Sequence, residues 1–235
     1  MSDMHSSSDV RPSASSDLTR LILSRRSVRE EYRTDPVPEA VVDEILRCGL
    51  SAPSSKNARP WRLHVVSDRD VLKELATAVM CAEGADSYVP NDPETGRPRP
   101  DWPSSVAESA ATLAAVPLGI FIENLGAFSK GRATLAAIPQ DNLRRSLVGY
   151  TFEVIGIGGA LMNMWLAANA LGVQGSFMGD ICVAERVIGA RLGLQKDLVG
   201  VLALGYSTAG PPPNRQQYDT SDETRVVWHR GKSEP

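Results

Sequence analysis

Cysteine is scarce in this chain of 235 residues. Cys48, Cys81 and Cys182 are odd in number and far apart, with no Cys-x-x-Cys and no nearby histidine pair. That excludes a disulfide framework and a structural zinc site. Each cysteine reads as a small buried apolar residue, and the default home of such a chain is the cytoplasm. Charge of either sign is also close to absent as an excess. Lys and Arg number 25 against 28 Asp and Glu, a net charge of −3, and the basic residues are scattered. No dense cationic face exists for a nucleic-acid backbone, so that class of partner is excluded. Long apolar runs are nearly missing too. The exception is Val154–Val173, twenty residues without a charge, which is a bilayer-spanning length. Gly156, Gly158, Gly159, Asn163 and Asn169 dilute it. A central helix covered by its own domain and by a partner subunit explains it better than a membrane span. The first 16 residues hold seven serines and no apolar run, so they predict a disordered tail rather than a signal peptide or anchor.

What remains is an ordinary globular composition, 42% hydrophobic and 23% charged. Asp17 is placed to cap a helix reaching about Arg26, and Pro38 opens a second that ends near Gly49. Residues 61–66 predict a strand with Trp61, Leu63 and Val65 on one face. Asp68 caps a helix whose stripe is Val71, Leu72, Leu75, Ala76, Val79 and Met80. Residues 86–103 carry five prolines and predict an irregular excursion. A helix over 107–115, a strand over 118–122, a long helix over 151–171, a short helix over 184–192 and a strand over 198–204 follow. After three prolines at 211–213, residues 225–229 have strand character. The elements intermix without regular βαβ alternation, so the fold class is α+β.

Two stretches carry chemistry. Arg25-Arg26-Ser27-Val28-Arg29 puts three guanidiniums and a hydroxyl at a helix end, which suits a phosphate dianion; a solvated helix end paired with Glu30 and Glu31 is the plainer alternative. Residues 52–61, Ala-Pro-Ser-Ser-Lys-Asn-Ala-Arg-Pro-Trp, pack hydroxyls, an amide and a cation into a turn. They suit the polar rim of a flat heterocycle, although turns favour these residues anyway. Gly156-x-Gly158-Gly159 is no dinucleotide fingerprint, because Leu161 occupies the third glycine position and the run sits inside a helical pattern.

At this spacing, with Pro36-Val37-Pro38 between them, the two stretches resemble the opening of the nitroreductase family of FMN-dependent enzymes. The likeness continues through Ala160–Gly172 and Leu204-Gly205-Tyr206 to Val226-Val227-Trp228. The resemblance implies a central, mostly antiparallel sheet flanked by helices, with the long helix at a homodimer interface. It implies an FMN-binding domain over 17–206 and an extension over 207–235 that crosses to the partner subunit. Arg25, Ser27 and Arg29 would bind the FMN phosphate and ribityl chain, with Arg26 beside them pointing outward. Pro53, Ser54, Ser55 and Asn57 would reach the flavin from the other subunit. Phe177, Met178 and Gly179 would lie along the ring edge, where some members carry Glu-Gly instead. Arg215, or less well Arg225, would be a late phosphate ligand. The implied reaction passes hydride from NADH or NADPH through FMN to a nitroaromatic, quinone or related small-molecule acceptor. It needs no side-chain acid or nucleophile, so His64 and His229 are not expected to be catalytic. A dehydrogenase or dehalogenase of a pathway intermediate, or a flavin-binding module without turnover, are alternatives. Residues 84–103 would cover the flavin face, with Tyr88 and Trp102 stacking on the acceptor and Arg97 and Arg99 steering an anionic one or the nicotinamide donor's phosphate; a surface excursion without function is the plainer alternative.

Overall fold

A computed structural model describes residues 17–209 and 225–229. Four strands form one antiparallel sheet in the order β1-β2-β4-β3: β1 Trp61–Val66, β2 Leu118–Asn124, β3 Gln174–Met178 and β4 Asp197–Gly205. Both faces are covered. On one lie α3 (Arg69–Met80), α4 (Val106–Ala115) and α7 (Glu185–Leu192), whose apolar residues join Val66, Phe121, Met178 and Val201. On the other lie α2 (Glu39–Leu50) and α6 (Gln140–Ala170), packed over Trp61, Ile120, Ile122 and Leu202. Two short helices, α1 (Asp17–Ser24) and α5 (Arg132–Ala137), complete the set among the described residues. The α+β expectation with an antiparallel sheet and a long central helix is met.

The double cover explains one difference from the sequence pattern. In β1, Trp61 and Leu63 join the α2/α6 side, Val66 is buried on the α3/α4 side, and Val65 is exposed. Alternation locates one core face, but β1 is an edge strand buried on both sides at its ends only. Central β2 is buried at every position. The pairing of β2 with β4 slips between Ile122 and Glu123, leaving Val199 as the extra residue beside Gly200. Gly200 has φ +152°, and a Cβ there would stand 2.6 Å from the Met178 carbonyl oxygen.

Local signals set most helix ends. Asp68 Oδ1 accepts from the backbone N–H of Asp70 at 2.9 Å and Val71 at 3.3 Å, as its capping role requires. α1 stops at Ser24, which leaves Arg25–Arg29 as extended chain rather than helix. α6 begins eleven residues earlier than periodicity predicts, behind Pro139, because Asp141, Asn142, Arg144 and Arg145 hide its first turns. It ends where Gly172 takes φ +77° and Val173 N–H returns to the Ala168 carbonyl at 2.8 Å. α5 and β3 are elements that the periodicity does not reveal. Residues 225–229 form no strand within this chain. Of the cysteines, Cys81 is exposed and the other two are half-buried, so the expectation of three buried residues is not met.

By length and composition α6 is able to cross a membrane. Its inner face, however, is packed in the domain: Ile157, Ala160, Met164 and Ala168 are buried in the α2-side core. Glu153 on the same helix is fully buried. Its carboxylate accepts from Phe128 N–H, Ser129 N–H, Ser129 Oγ and Asn124 Nδ2 at 2.6–2.9 Å, which pins the loop after β2 to α6.

Candidate functional site

The arginine run lies against β3. Val28 is buried, and its N–H donates to the Gly175 carbonyl at 3.0 Å. Extended chain alternates its side chains, so anchoring Val28 inward turns Ser27 and Arg29 outward. The Tyr32 hydroxyl donates to the Val28 carbonyl at 2.5 Å, and Thr112 Oγ1 donates to the Arg29 carbonyl at 3.1 Å. Position 175 itself has no room for a side chain, since a Cβ there would meet the Ala203 carbonyl oxygen of β4 at 2.2 Å. The result is a cavity of about 180 Å³ lined by Arg29, Glu108, Phe177, Met178, Gly179 and Asp180, with Ser105 and Ser109 also at its rim. Arg29 and the 177–179 segment, far apart in sequence, therefore share one cavity. The Glu108 carboxylate stands 3.8 Å from Arg29 Nε, too far for a strong bond and open to competition by an anion.

Arg25 sits differently. Its guanidinium stacks on Trp165 of α6, with Cζ 4.3 Å from the ring centroid. Its Nη1 is buried and has no hydrogen-bond partner. Among the described residues, three other buried side-chain atoms share that condition: Trp165 Nε1, Ser176 Oγ and Asp180 Oδ1. Ser176 belongs to β3, and Asp180 lines the Arg29 cavity. A buried polar group without a partner costs about 1–3 kcal/mol, so each of these atoms has bonding capacity left over. Arg26 is committed elsewhere, its Nη2 donating to the Ala209 carbonyl at 2.9 Å. Ser27 is exposed beside them.

The second stretch folds into a strained turn. Ser55–Asn57 form a 3-10 turn in which Lys56, Asn57 and then Arg59 have φ of +50°, +53° and +44°. Such a run of left-handed non-glycine residues persists only when the surroundings impose it. Ser54 Oγ accepts from Arg59 N–H at 2.9 Å, and Asn57 Oδ1 accepts from Arg59 Nε at 3.2 Å. Pro53 is exposed, and Ser54 rests on α6 at Gly156, where a Cβ would come within 3.2 Å of the Ser54 Cβ. The small residues of α6 thus admit this turn. Gly156 and Trp165 are nine residues apart on the helix, about 13 Å along its axis and about half a turn round it. Within one chain, Pro53, Ser54, Ser55 and Asn57 face a different side of α6 from Arg25. Arg215 lies outside the described residues.

Residues 84–105 form a folded-back excursion. Asp92 Oδ1 accepts from Glu94 and Thr95 N–H, Asn91 bridges to Pro98, and Ser104 Oγ donates to the Ala85 carbonyl at 2.6 Å. Tyr88 and Trp102 line one cavity of about 390 Å³ together with Ser105 and Asp180. Arg97 and Arg99 do not line it. They border a separate space of about 600 Å³, and Arg99 pairs with Asp101 at 3.2 Å. Asp180 follows directly on the predicted Phe177–Gly179 segment, but nothing local to the sequence marks it, because its seryl partners come from 71 and 75 residues away. The remaining polar groups are structural. His64 Nε2 bonds the buried Glu123 carboxylate at 2.9 Å, and burial pushes the Cys182 thiol up to about 12, which keeps it protonated.

An antiparallel sheet between two helical layers, with Arg29, two carboxylates and the 177–179 segment around one cavity at its β3 edge, defines an α+β protein with a small polar cleft there. Residues 22–206 match the family model described as the nitroreductase family, and the chain belongs to that family. It is 47% identical over 62 residues to the NADH dehydrogenase of Thermus thermophilus, a match covering 26% of this chain and only 30% of that protein's length. It is 26% identical over 230 residues to the 5,6-dimethylbenzimidazole synthase of Rhodospirillum rubrum, covering 95% and 94% of the two chains. Among solved structures, a nitroreductase with bound FMN from Desulfitobacterium hafniense superposes with a TM-score of 0.61 at 16% identity, over 92% of this chain and all of that one.

Proposed function

We propose that this chain is an FMN-dependent oxidoreductase that draws hydride from NADH or NADPH and delivers it to a nitroaromatic, quinone or related acceptor. The observation that carries this reading is the Arg29 cavity, with the buried, unpartnered Nη1 of Arg25 four residues earlier in the same run. The residues fit the cofactor. Arg29, with Ser27 beside it, offers forked and permanently charged donors to a phosphate, and Arg25 supplies an unpaired one. The 177–179 backbone offers its edge to a flat ring. Bound FMN would supply the two-electron relay that no side chain here provides, since the described residues hold no group poised as nucleophile or acid. In the reduction of a nitro group, two electrons and two protons give the nitroso compound and water, and the nicotinamide is oxidised. Family membership and the names of the relatives support this class. The match to a dimethylbenzimidazole synthase along nearly the whole chain keeps a dedicated flavin reaction on a pathway intermediate as the second reading.

The same reading makes the protein a homodimer with a composite site. Val148, Phe152, Ile155 and Met162 form an exposed apolar row on α6 at helical spacing, and Leu18, Ile22 and Leu23 of α1 are exposed as well. A second copy covering that row would bring its Pro53, Ser54, Ser55 and Asn57 turn toward the first copy's arginines. The test is cofactor retention. The purified protein should be yellow, and Arg25→Ala with Arg29→Ala should make it pale, with activity regained only on adding FMN. Full flavin occupancy in the double variant would overturn the assignment.

A further inference from the structure

Resting on that oxidoreductase reading, we propose that Asp180 selects the acceptor, and that the cavity beneath residues 88–103 takes an aromatic molecule bearing an ammonium or N–H donor. The carboxylate is fixed in place. Its Oδ2 accepts from Ser105 Oγ at 2.6 Å and from Ser109 Oγ at 3.0 Å. Its Oδ1 is buried and has no partner. An ionised carboxylate has about four acceptor positions, and a dry, empty oxygen is costly. The two seryl donors occupy one oxygen, and the other is left without a donor from the described residues.

The surroundings say what kind of molecule brings that donor. The cavity of about 390 Å³ falls within the usual range for small-ligand sites. Tyr88, Trp102, Pro90 and Pro103 line it, which favours a flat aromatic body. Burial raises the Tyr88 pKa, so its phenol stays neutral. Asp180 is the one charged residue among those lining this space, so its field is negative. Asp180 and Ser105 also line the Arg29 cavity, which makes them a shared wall between the proposed cofactor site and the acceptor space. The arginines expected to attract an anion border a different space, and Arg99 is paired with Asp101. Among the described residues no cation lines this space, so an anionic acceptor would have to sit against Asp180, with Arg29 across the shared wall and Arg132 acting on Tyr88 from outside the lining.

Three nitroaromatics of one shape but different charge test this: 4-nitrobenzylammonium, 4-nitrobenzyl alcohol and 4-nitrobenzoate, each assayed with the flavin-loaded protein by NADH and NADPH oxidation. The readout is the ratio of kcat/KM for the cation to that for the anion. Being internal to one preparation, it is insensitive to partial loss of flavin or of folded protein. The wild-type ratio should be at least tenfold, and Asp180→Asn should lower it at least tenfold, as the loss of one charge-assisted hydrogen bond requires. If the variant does not fold, salt serves instead: rising NaCl should lower wild-type kcat/KM for the cation relative to the neutral alcohol. A wild-type ratio near or below one, an unchanged ratio in Asp180→Asn, or equal salt dependence overturns the proposal while the flavin chemistry stands. A preparation that holds no flavin and oxidises nicotinamide with none of the three overturns the oxidoreductase reading itself, and this proposal with it.

Discussion

Replacing Glu153 should unfold the protein far more readily than any change on its solvated surface. The side chain is fully buried on α6 and accepts four hydrogen bonds, two from the backbone N–H groups of Phe128 and Ser129 and two from Ser129 Oγ and Asn124 Nδ2. Glu153→Ala leaves all four donors without that acceptor. The two backbone donors cannot turn away, and at about 1–3 kcal/mol for each stranded group the loss is about 4 kcal/mol. That is a large share of a stability of about 5–15 kcal/mol. Glu153→Gln keeps the shape and one acceptor oxygen but sets an N–H₂ against the Asn124 and Ser129 donors, so about 2 kcal/mol is expected. The ordering wild type, Gln, Ala should appear in urea midpoints with unchanged slopes. The pH dependence gives a second check. Burial pushes the Glu153 pKa up, but the Ser129 N–H, the Asn124 amide and the Phe128 N–H outweigh it and hold the group below the ordinary carboxylate range. A depressed folded pKa means that the stabilisation is fully present above the unfolded value of about 4.3 and drains away as pH falls through the folded value. The wild type should therefore lose stability below about pH 4.3, and Glu153→Gln should lose less over that window. An Ala variant within 1 kcal/mol of wild type, or the same acid slope in the Gln variant, would refute the anchoring argument.

Gly175→Ala should destabilise the β3 edge by about 1–3 kcal/mol and lower flavin content together, because the added Cβ meets the Ala203 carbonyl oxygen at 2.2 Å and the same residue holds Val28. Flavin released on denaturation and urea unfolding measure both, and normal flavin with normal stability would show that the strand can move aside. Light scattering should give twice 25.3 kDa for the wild type, and Ile155→Asp, on the exposed row of α6, should give a pale monomer. A yellow monomer would exclude the composite site.

How much of this was legible beforehand varies with the range of the interactions involved. Strand 61–66, the Asp68-capped helix and the α4–β2 pair follow from short-range signals, namely a capping carboxylate, a stripe at helical spacing and a run of apolar residues, and they appear where those signals put them. The start of α6 did not follow, because its first turns are mostly polar and exposed and so carry no apolar stripe to mark a helix. β3 did not follow either, since Gln-Gly-Ser-Phe-Met has little strand character alone and is held by pairing with β4. The site divides in the same way. The arginine run and the Pro-Ser-Ser-Lys-Asn turn are legible as chemistry because their residue types are concentrated in a few positions. That Arg29 shares a cavity with Phe177–Gly179, that Ser54 and Arg25 meet α6 at residues about half a turn apart round its axis, and that Ser105 and Ser109 hold the Asp180 carboxylate where it also lines the Tyr88 cavity are tertiary facts. The sequence alone determines which groups can bond, cap or stack, since that is a property of each residue and its near neighbours. Which of them meet is decided by the tertiary fold, which brings together residues as far apart as Arg26 and Ala209, 183 positions from each other, through contacts that no local pattern encodes.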